Sequence, residues 1–250
     1  MDLFLAVQAF GATQAPPQLS LRVWTYPDVF GVWGAFWGTH SDFLAAIAPL
    51  LAKLPQNAKL SFEQGDWLAS LRSFYDGAQL PQPEAYQQRE TFFAKSVVAP
   101  GELTAAALRS FFGSLSSRAA RDAPVAWWVM LDLYGGTGSA IAAFPPAWSS
   151  YAHRNALWTV QLYAHTADHL PPFPDAAIPL MHAMLRSLTD AQPETVFGAY
   201  PNYADPTLPA AEAHQRYYGG QLQRLAEIKR QADPEERFWH PQAIAAADGV

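Results

Sequence analysis

Proline is the residue that most limits how this chain can fold. Each one fixes φ and removes a backbone donor, so helices and strands must fit between prolines or begin at them. The chain carries 21 prolines in 250 residues, above the roughly 5% usual in soluble proteins. Many sit close together, at Pro16-Pro17, Pro81-Gln82-Pro83, Pro145-Pro146 and Pro171-Pro172. Short strands and medium helices joined by punctuated connections fit between them, which points to an α+β fold.

The first such strand is legible where Leu19, Leu21 and Val23 alternate with Ser20, Arg22 and Trp24, ending before Pro27. Further strands are expected over 29–37, 59–63, 91–98, 125–134 and 157–164. Helices are expected over 41–54, opened by Ser41 and kinked or shortened by Pro49, over 102–115 and over 176–188. A longer helical stretch at 209–231 is interrupted at Gly219-Gly220. Together these predict an antiparallel sheet of about six or seven strands, covered by helices on one face, with a C-terminal helical tail. No internal repeat is present.

Composition closes off several functions. Half of the residues are hydrophobic and 14% aromatic, enough for one large core. The net charge is −6 and the 16 Lys and Arg are scattered, so the basic stripe that nucleic acid requires is missing. No apolar run reaches the ~18 residues of a membrane span, and the N-terminus lacks a signal peptide's basic flank and cleavage site. The chain reads as soluble, with its compartment open. Zero cysteines exclude disulfides and thiolate metal sites.

Other short features read as structural. Gly135-Gly136-Thr137-Gly138 lacks the spacing of a dinucleotide fingerprint and is expected to be a tight turn. His165 and His169 stand four apart but have no HExxH glutamate and no evident third ligand, so no metal site is expected. Asp205, before Pro206, is expected to serve a turn or cap, and His153 to bond backbone.

One ordered series carries much more information. It runs Tyr200-Pro201-Asn202-Tyr203-Ala204-Asp205-Pro206, Tyr217-Tyr218-Gly219, Leu222, Arg224-Leu225, Ile228-Lys229, Asp233-Pro234, Phe238 and Pro241-Gln242-Ala243-Ile244. This series resembles the C-terminal signature of the berberine-bridge enzyme and glucooligosaccharide oxidase family of FAD-linked oxidases. Phe93-Ala94-Lys95-Ser96, Leu131 to Gly136, and His153 to Gln161 are similar to that family's substrate domain, in family order. Asp2-Leu3-Phe4 with Ala6 and Gly11 resembles the last turns of its FAD domain. The resemblance implies three parts: 1–26, the end of the FAD domain and a connecting strand; 27–196, the substrate-binding domain; and 197–250, the berberine-bridge-like segment. The main FAD domain and the covalent flavin attachment would lie before Met1.

Members of that family oxidise an alcohol, lactol or amine-like carbon by passing hydride to FAD, and dioxygen reoxidises the flavin. The resemblance puts the proton acceptor at Tyr203 and its supporting carboxylate at Asp132. A free phenol, with a pKa near 10, needs such a neighbour to act near neutral pH. Period-2 geometry places Asp132 on one strand face with Trp128, Met130 and Tyr134, and Gln161 on one face with Thr159 and Tyr163. Trp128, Met130, Gln161 and Tyr163 are thus the expected substrate contacts. Tyr200, Asn202, Tyr218 and Gln221 are expected on the cofactor side, Gln221 standing where the family usually has asparagine. Met130 replaces a glutamine of the carbohydrate oxidases, so a hydrophobic alcohol is expected rather than a sugar. The pocket's shape would depend on loops such as 64–84. Alternatives are a flavin-free descendant promoting a redox-neutral cyclisation or elimination, and a non-catalytic subunit. Expected partners are a small-molecule substrate and either an FAD-domain partner chain or a second copy, with no nucleic acid and no membrane.

Overall fold

A computed structural model describes residues 1–27, 29–73 and 89–245. Helix α1 (Asp2–Thr13) leads into a hairpin of β1 (Leu19–Tyr26) and β2 (Val29–Phe36), followed by α2 (His40–Leu51) and α3 (Trp67–Ser73). Then come β3 (Phe92–Ala99), α4 (Ala105–Leu115), α5 (Arg118–Arg121), β4 (Ala126–Leu133), β5 (Trp158–His165) and α6 (Ala177–Thr189). Helices α7 (Ala210–Tyr218) and α8 (Leu222–Ala232) follow, separated by a 3-10 turn at Gly219–Gln221 where the sequence predicts the break. The strands form one sheet in the order β2-β1-β4-β5-β3, every pairing antiparallel.

Among the described residues the sheet has five strands where six or seven are expected. Residues 59–63 alternate in polarity but pair with no strand among the described residues. Phe62 instead meets Phe43 of α2 edge-on, ring centroids 5.2 Å apart. Alternation describes a strand's faces but supplies no neighbour to accept its hydrogen bonds. Part of the 64–84 loop, including Pro81 and Pro83, lies outside the described residues.

Helices cover one face of the sheet, as expected. Trp127, Val129 and Leu131 of β4 and Trp158, Val160 and Leu162 of β5 point into this layer. They meet Phe4, Val7 and Phe10 of α1, Leu108 and Phe111 of α4, and Met181, Met184 and Leu188 of α6. Each such side chain contributes about 1.5–3 kcal/mol by leaving water. Sequence periodicity gives no sign of α1 because its residues are apolar nearly all round, which hides the amphipathic contrast. Its one polar core residue is fully used: Gln8 Oε1 accepts from Leu103 N at 2.8 Å and Trp158 Nε1 at 3.0 Å, while its Nε2 donates to the Leu103 carbonyl at 3.1 Å. Residues 1–26 therefore pack into the same core as the later strands.

Helix starts fall close to expectation. Thr39 rather than Ser41 caps α2, accepting from Asp42 N at 3.2 Å, and Thr104 caps α4, accepting from Ala107 N at 3.1 Å. The 135–138 run is a turn, with Gly136 at φ +110 and a Cβ there only 2.1 Å from the Gly11 carbonyl oxygen.

Candidate active site

The face of the sheet away from the helices has a different character. Because side chains alternate, β4 sends Trp128, Met130 and Asp132 to this outer face and β5 sends Thr159, Gln161 and Tyr163. The register aligns them in rows across the strands: Trp33, Arg22, Asp132, Thr159; then Trp24, Met130, Gln161, Ser96; then Trp128, Tyr163, Ala94. The expected sharing of faces by Asp132 with Met130 and Trp128, and by Gln161 with Tyr163, is thus borne out.

Aromatic rings form a continuous band on this face. Trp33 meets Trp24 at 6.0 Å, Trp24 meets Trp128 at 5.3 Å, Trp128 stacks on Tyr163 at 4.7 Å, and Tyr163 on Phe92 at 5.1 Å. Trp33 and Phe92, at its ends, are about half exposed. Between them the Trp24 indole N–H is buried with no acceptor among the described residues, an unmet donor a bound ligand could satisfy.

The strongest polar contact here is one the sequence reading missed. Arg22 Nε donates to Asp132 Oδ1 at 2.5 Å and its NH2 nitrogen to Oδ2 at 3.1 Å, a two-pronged ion pair. Arg22 is part of the period-2 pattern of β1, so its outward direction was legible. Its partner 110 residues away was not.

Tyr203, whose phenol feels the charges of both members of this pair, comes from a separate segment. Edge strand β3 is flanked by residues 198–205: Gly198 and Val98 exchange two backbone hydrogen bonds at 2.9 Å, and Tyr200 N donates to Ser96 Oγ at 2.8 Å. A 3-10 turn over Pro201–Tyr203 then carries the phenol. Burial pushes the Tyr203 hydroxyl above its ordinary pKa, Asp132 adds to that rise, and the Arg22 guanidinium opposes it. Tyr200 lies edge-on to Tyr203 at 4.9 Å, to Tyr151 at 5.9 Å and to Tyr134 at 6.5 Å, making a four-tyrosine cluster. Burial pushes the Tyr151 phenol up to about 12; neighbouring Thr159 lowers it, though the two hydroxyls fall short of a well-formed hydrogen bond.

The segment is fixed from the opposite side. The Lys95 ammonium donates to Asp205 Oδ2, and both side chains are only 5% exposed. Asp205 Oδ1 also accepts from Thr207 N at 3.0 Å and Thr207 Oγ1 at 2.6 Å, and Asp205 N donates to the Tyr217 hydroxyl at 2.8 Å. Gln242 Nε2 donates to the carbonyls of Asp205 and Leu208 at 2.7 and 2.9 Å. Asp205 is therefore the turn residue expected, and in addition half of a buried ion pair. His153 bonds backbone as expected, its Nε2 donating to the Arg216 carbonyl at 2.8 Å; a Cβ on Gly198 would stand 2.2 Å from its ring.

The four residues expected on the cofactor side divide in two. Tyr200 and Asn202 belong to the cluster, Asn202 Nδ2 donating to the Tyr200 hydroxyl at 2.9 Å. Tyr218 meets the rings of His214 and Tyr217, and Gln221 lies in the turn before α8. Neither hydrogen-bonds to, nor ring-contacts, Tyr200 or Tyr203 among the described residues.

A phenol within the field of a guanidinium–carboxylate pair, on a chain whose outer sheet face also carries an aromatic band and one amide, suits proton uptake from a hydroxyl. Residues 199–245 match the family model "Berberine and berberine like". The chain is 32% identical to the glucooligosaccharide oxidase of Sarocladium strictum, over 93% of this chain and 47% of the relative. It is also 32% identical to the xylooligosaccharide oxidase of Thermothelomyces thermophilus, over 97% of this chain and 50% of the relative. Among solved structures it superimposes on a glucooligosaccharide oxidase of Acremonium strictum with a 6-S-cysteinyl, 8α-N1-histidyl FAD. The TM-score is 0.88 at 29% identity, covering 98% of this chain and 52% of that one. The chain thus spans about half the length of the relatives it matches, and the other half of each lies in the same polypeptide. No helix among the described residues is long and apolar enough to cross a membrane. Residues 199–245 carry a berberine-like domain, and over nearly all its length the chain is similar to one half of the glucooligosaccharide and carbohydrate oxidases.

Proposed function

We propose that this chain is the substrate-facing half of an FAD-linked oxidase, in which Tyr203 takes up the hydroxyl proton of an alcohol or lactol as its carbon is oxidised. The observation that carries the reading is the electrostatic coupling of the Tyr203 phenol to the Arg22–Asp132 pair. FAD, when bound, supplies the hydride acceptor. The outer face fits the ring-facing side of such a site, with Tyr200 and Asn202 as the residues that would border it. The chain has no cysteine, so a cysteinyl flavin link would come from outside these residues. The flavin half would be supplied in the same polypeptide or by a partner chain. Within the chain the reading assigns 27–196 to the substrate and 197–250 to holding Tyr203, with 1–26 as the connection.

To accept a proton the phenol must first lose its own, which burial and Asp132 discourage and Arg22 favours. Arg22 is therefore assigned to stabilising the ionised Tyr203, and Asp132 to holding Arg22 in place. Gln161 can donate or accept toward substrate hydroxyls, and the aromatic band can stack on a flat apolar face. That face could be a sugar ring, in keeping with the oligosaccharides in the relatives' names. A second reading, a more hydrophobic alcohol, rests on Met130 opposite Gln161. The test pairs the chain with an FAD-binding half and follows peroxide release from cellobiose, xylobiose and simple aryl alcohols. The proton-acceptor role is wrong if Tyr203→Phe reduces flavin with substrate as fast as the parent.

A further inference from the structure

Three potential metal ligands meet at the far end of the aromatic band. His165 closes β5, His169 follows four residues later, and Glu90 lies just before β3. The register that sets Phe92 opposite His165 brings these segments to one corner of the sheet. Glu90 Oε1 lies 3.5 Å from His165 Nδ1 and 3.4 Å from His169 Nδ1. The two imidazoles are stacked, 5.1 Å apart with planes 9° from parallel. One ligand atom from each of the three residues falls within 4.8 Å of the others.

Two histidines sharing one carboxylate would account for part of this. Yet separations of 3.4–3.5 Å are long for charge-assisted hydrogen bonds, which close to about 2.7–2.9 Å. Those separations are close to the roughly 3.3 Å edge of a tetrahedral shell with ~2.0 Å bonds to its metal. His165 Nδ1 is also 3.0 Å from the Thr166 carbonyl. A cation taking Nδ1 would displace the proton shared with that carbonyl.

We infer that Glu90, His165 and His169 form a binding site for one divalent transition-metal cation of the zinc type. Two imidazoles and one carboxylate suit zinc, copper or nickel better than calcium or magnesium, which favour all-oxygen shells. Partial exposure of all three residues leaves coordination positions open to solvent. His165 also lines an open cleft of about 370 Å³ with Trp24, Tyr26 and Trp128. A cation here would sit at the rim of the aromatic floor, where an open position could take a ligand hydroxyl or carboxylate. It would also tie the segment before β3 to the turn after β5. The charged and titratable neighbours are Tyr163, whose phenol faces Glu90, and Arg121 across the cleft, whose charge opposes a cation.

This site requires no flavin, so its test is separate from that of the oxidase reading. Zinc chloride is titrated calorimetrically into the 250-residue chain, into Glu90→Gln and His169→Ala, and into His40→Ala as an exposed histidine elsewhere, with far-UV circular dichroism confirming each fold. The expected result is one equivalent of zinc bound by the parent and by His40→Ala, with affinity weakened at least about tenfold in the other two. Failure of the parent to bind zinc stoichiometrically, or unchanged affinity in the near-isosteric Glu90→Gln, would overturn the assignment.

Discussion

Two ion pairs in this molecule each join residues 110 positions apart, and they sit in opposite surroundings. Lys95 and Asp205 are both 5% exposed, and Asp205 is further bonded to Thr207, Tyr217 and Gln242. Arg22 is 40% exposed and Asp132 13%, and their charges act on the Tyr203 phenol. A dry pair with its remaining bonds filled is a fastener, because removing either partner strands a charge. A half-wet pair contributes little to stability but leaves its field free to act on a neighbour. Chemistry common to both pairs thus does two jobs, divided by access to water.

The largest expected effect is on turnover. In the flavin-loaded enzyme, Tyr203→Phe should slow substrate-dependent flavin reduction about 10²–10⁴-fold, the usual contribution of a positioned acid or base. Thermal unfolding of the chain should hardly change. Second, Asp205→Asn or Lys95→Met should each cost about 3–5 kcal/mol in urea unfolding, and Lys95→Met combined with Asp205→Leu should recover part of that loss. If the single changes cost no more than Arg22→Leu, the contrast between the pairs collapses.

Arg22→Leu sharpens the other side of the comparison. Exposure limits its stability cost to about 1 kcal/mol or less, but Tyr203 loses the one charge that opposes the rise in its pKa. Any activity that needs ionised Tyr203 should then begin at higher pH, visible as a shift to higher pH of the ascending limb in kcat/KM against pH. The smallest effect concerns His153, whose pKa burial lowers. Between the folded and unfolded pKa values the unfolded chain binds more protons, so stability falls as pH drops below the ordinary imidazole range. Melting temperature against pH should flatten there in His153→Gln.

How far the sequence foretold all this depends on the range of each interaction. Alternation in β4 and β5 was enough to place Asp132 with Met130 and Trp128, and Gln161 with Tyr163, because a strand's faces are a local property. The break at Gly219-Gly220 was local too. Residues 59–63 misled because their alternation has no strand to pair with among the described residues, and α1 escaped because apolar residues surround it. Arg22, Lys95 and Glu90 lay beyond reach for one reason: their partners come from segments distant in sequence, brought alongside only by the fold. The ordered motif from Tyr200 to Ile244 did what periodicity could not, locating Tyr203 through resemblance before any contact was known.

The hold of Gln242 on the carbonyls of Asp205 and Leu208 bears on timing. During synthesis all five strands leave the ribosome well before residue 242, so the aromatic floor and the Arg22–Asp132 pair can form while the Tyr203 segment still lacks its last anchor. Tyr203, the proposed proton acceptor, is then the final piece to be locked in place, and a nascent chain would display a finished floor before that phenol is fixed.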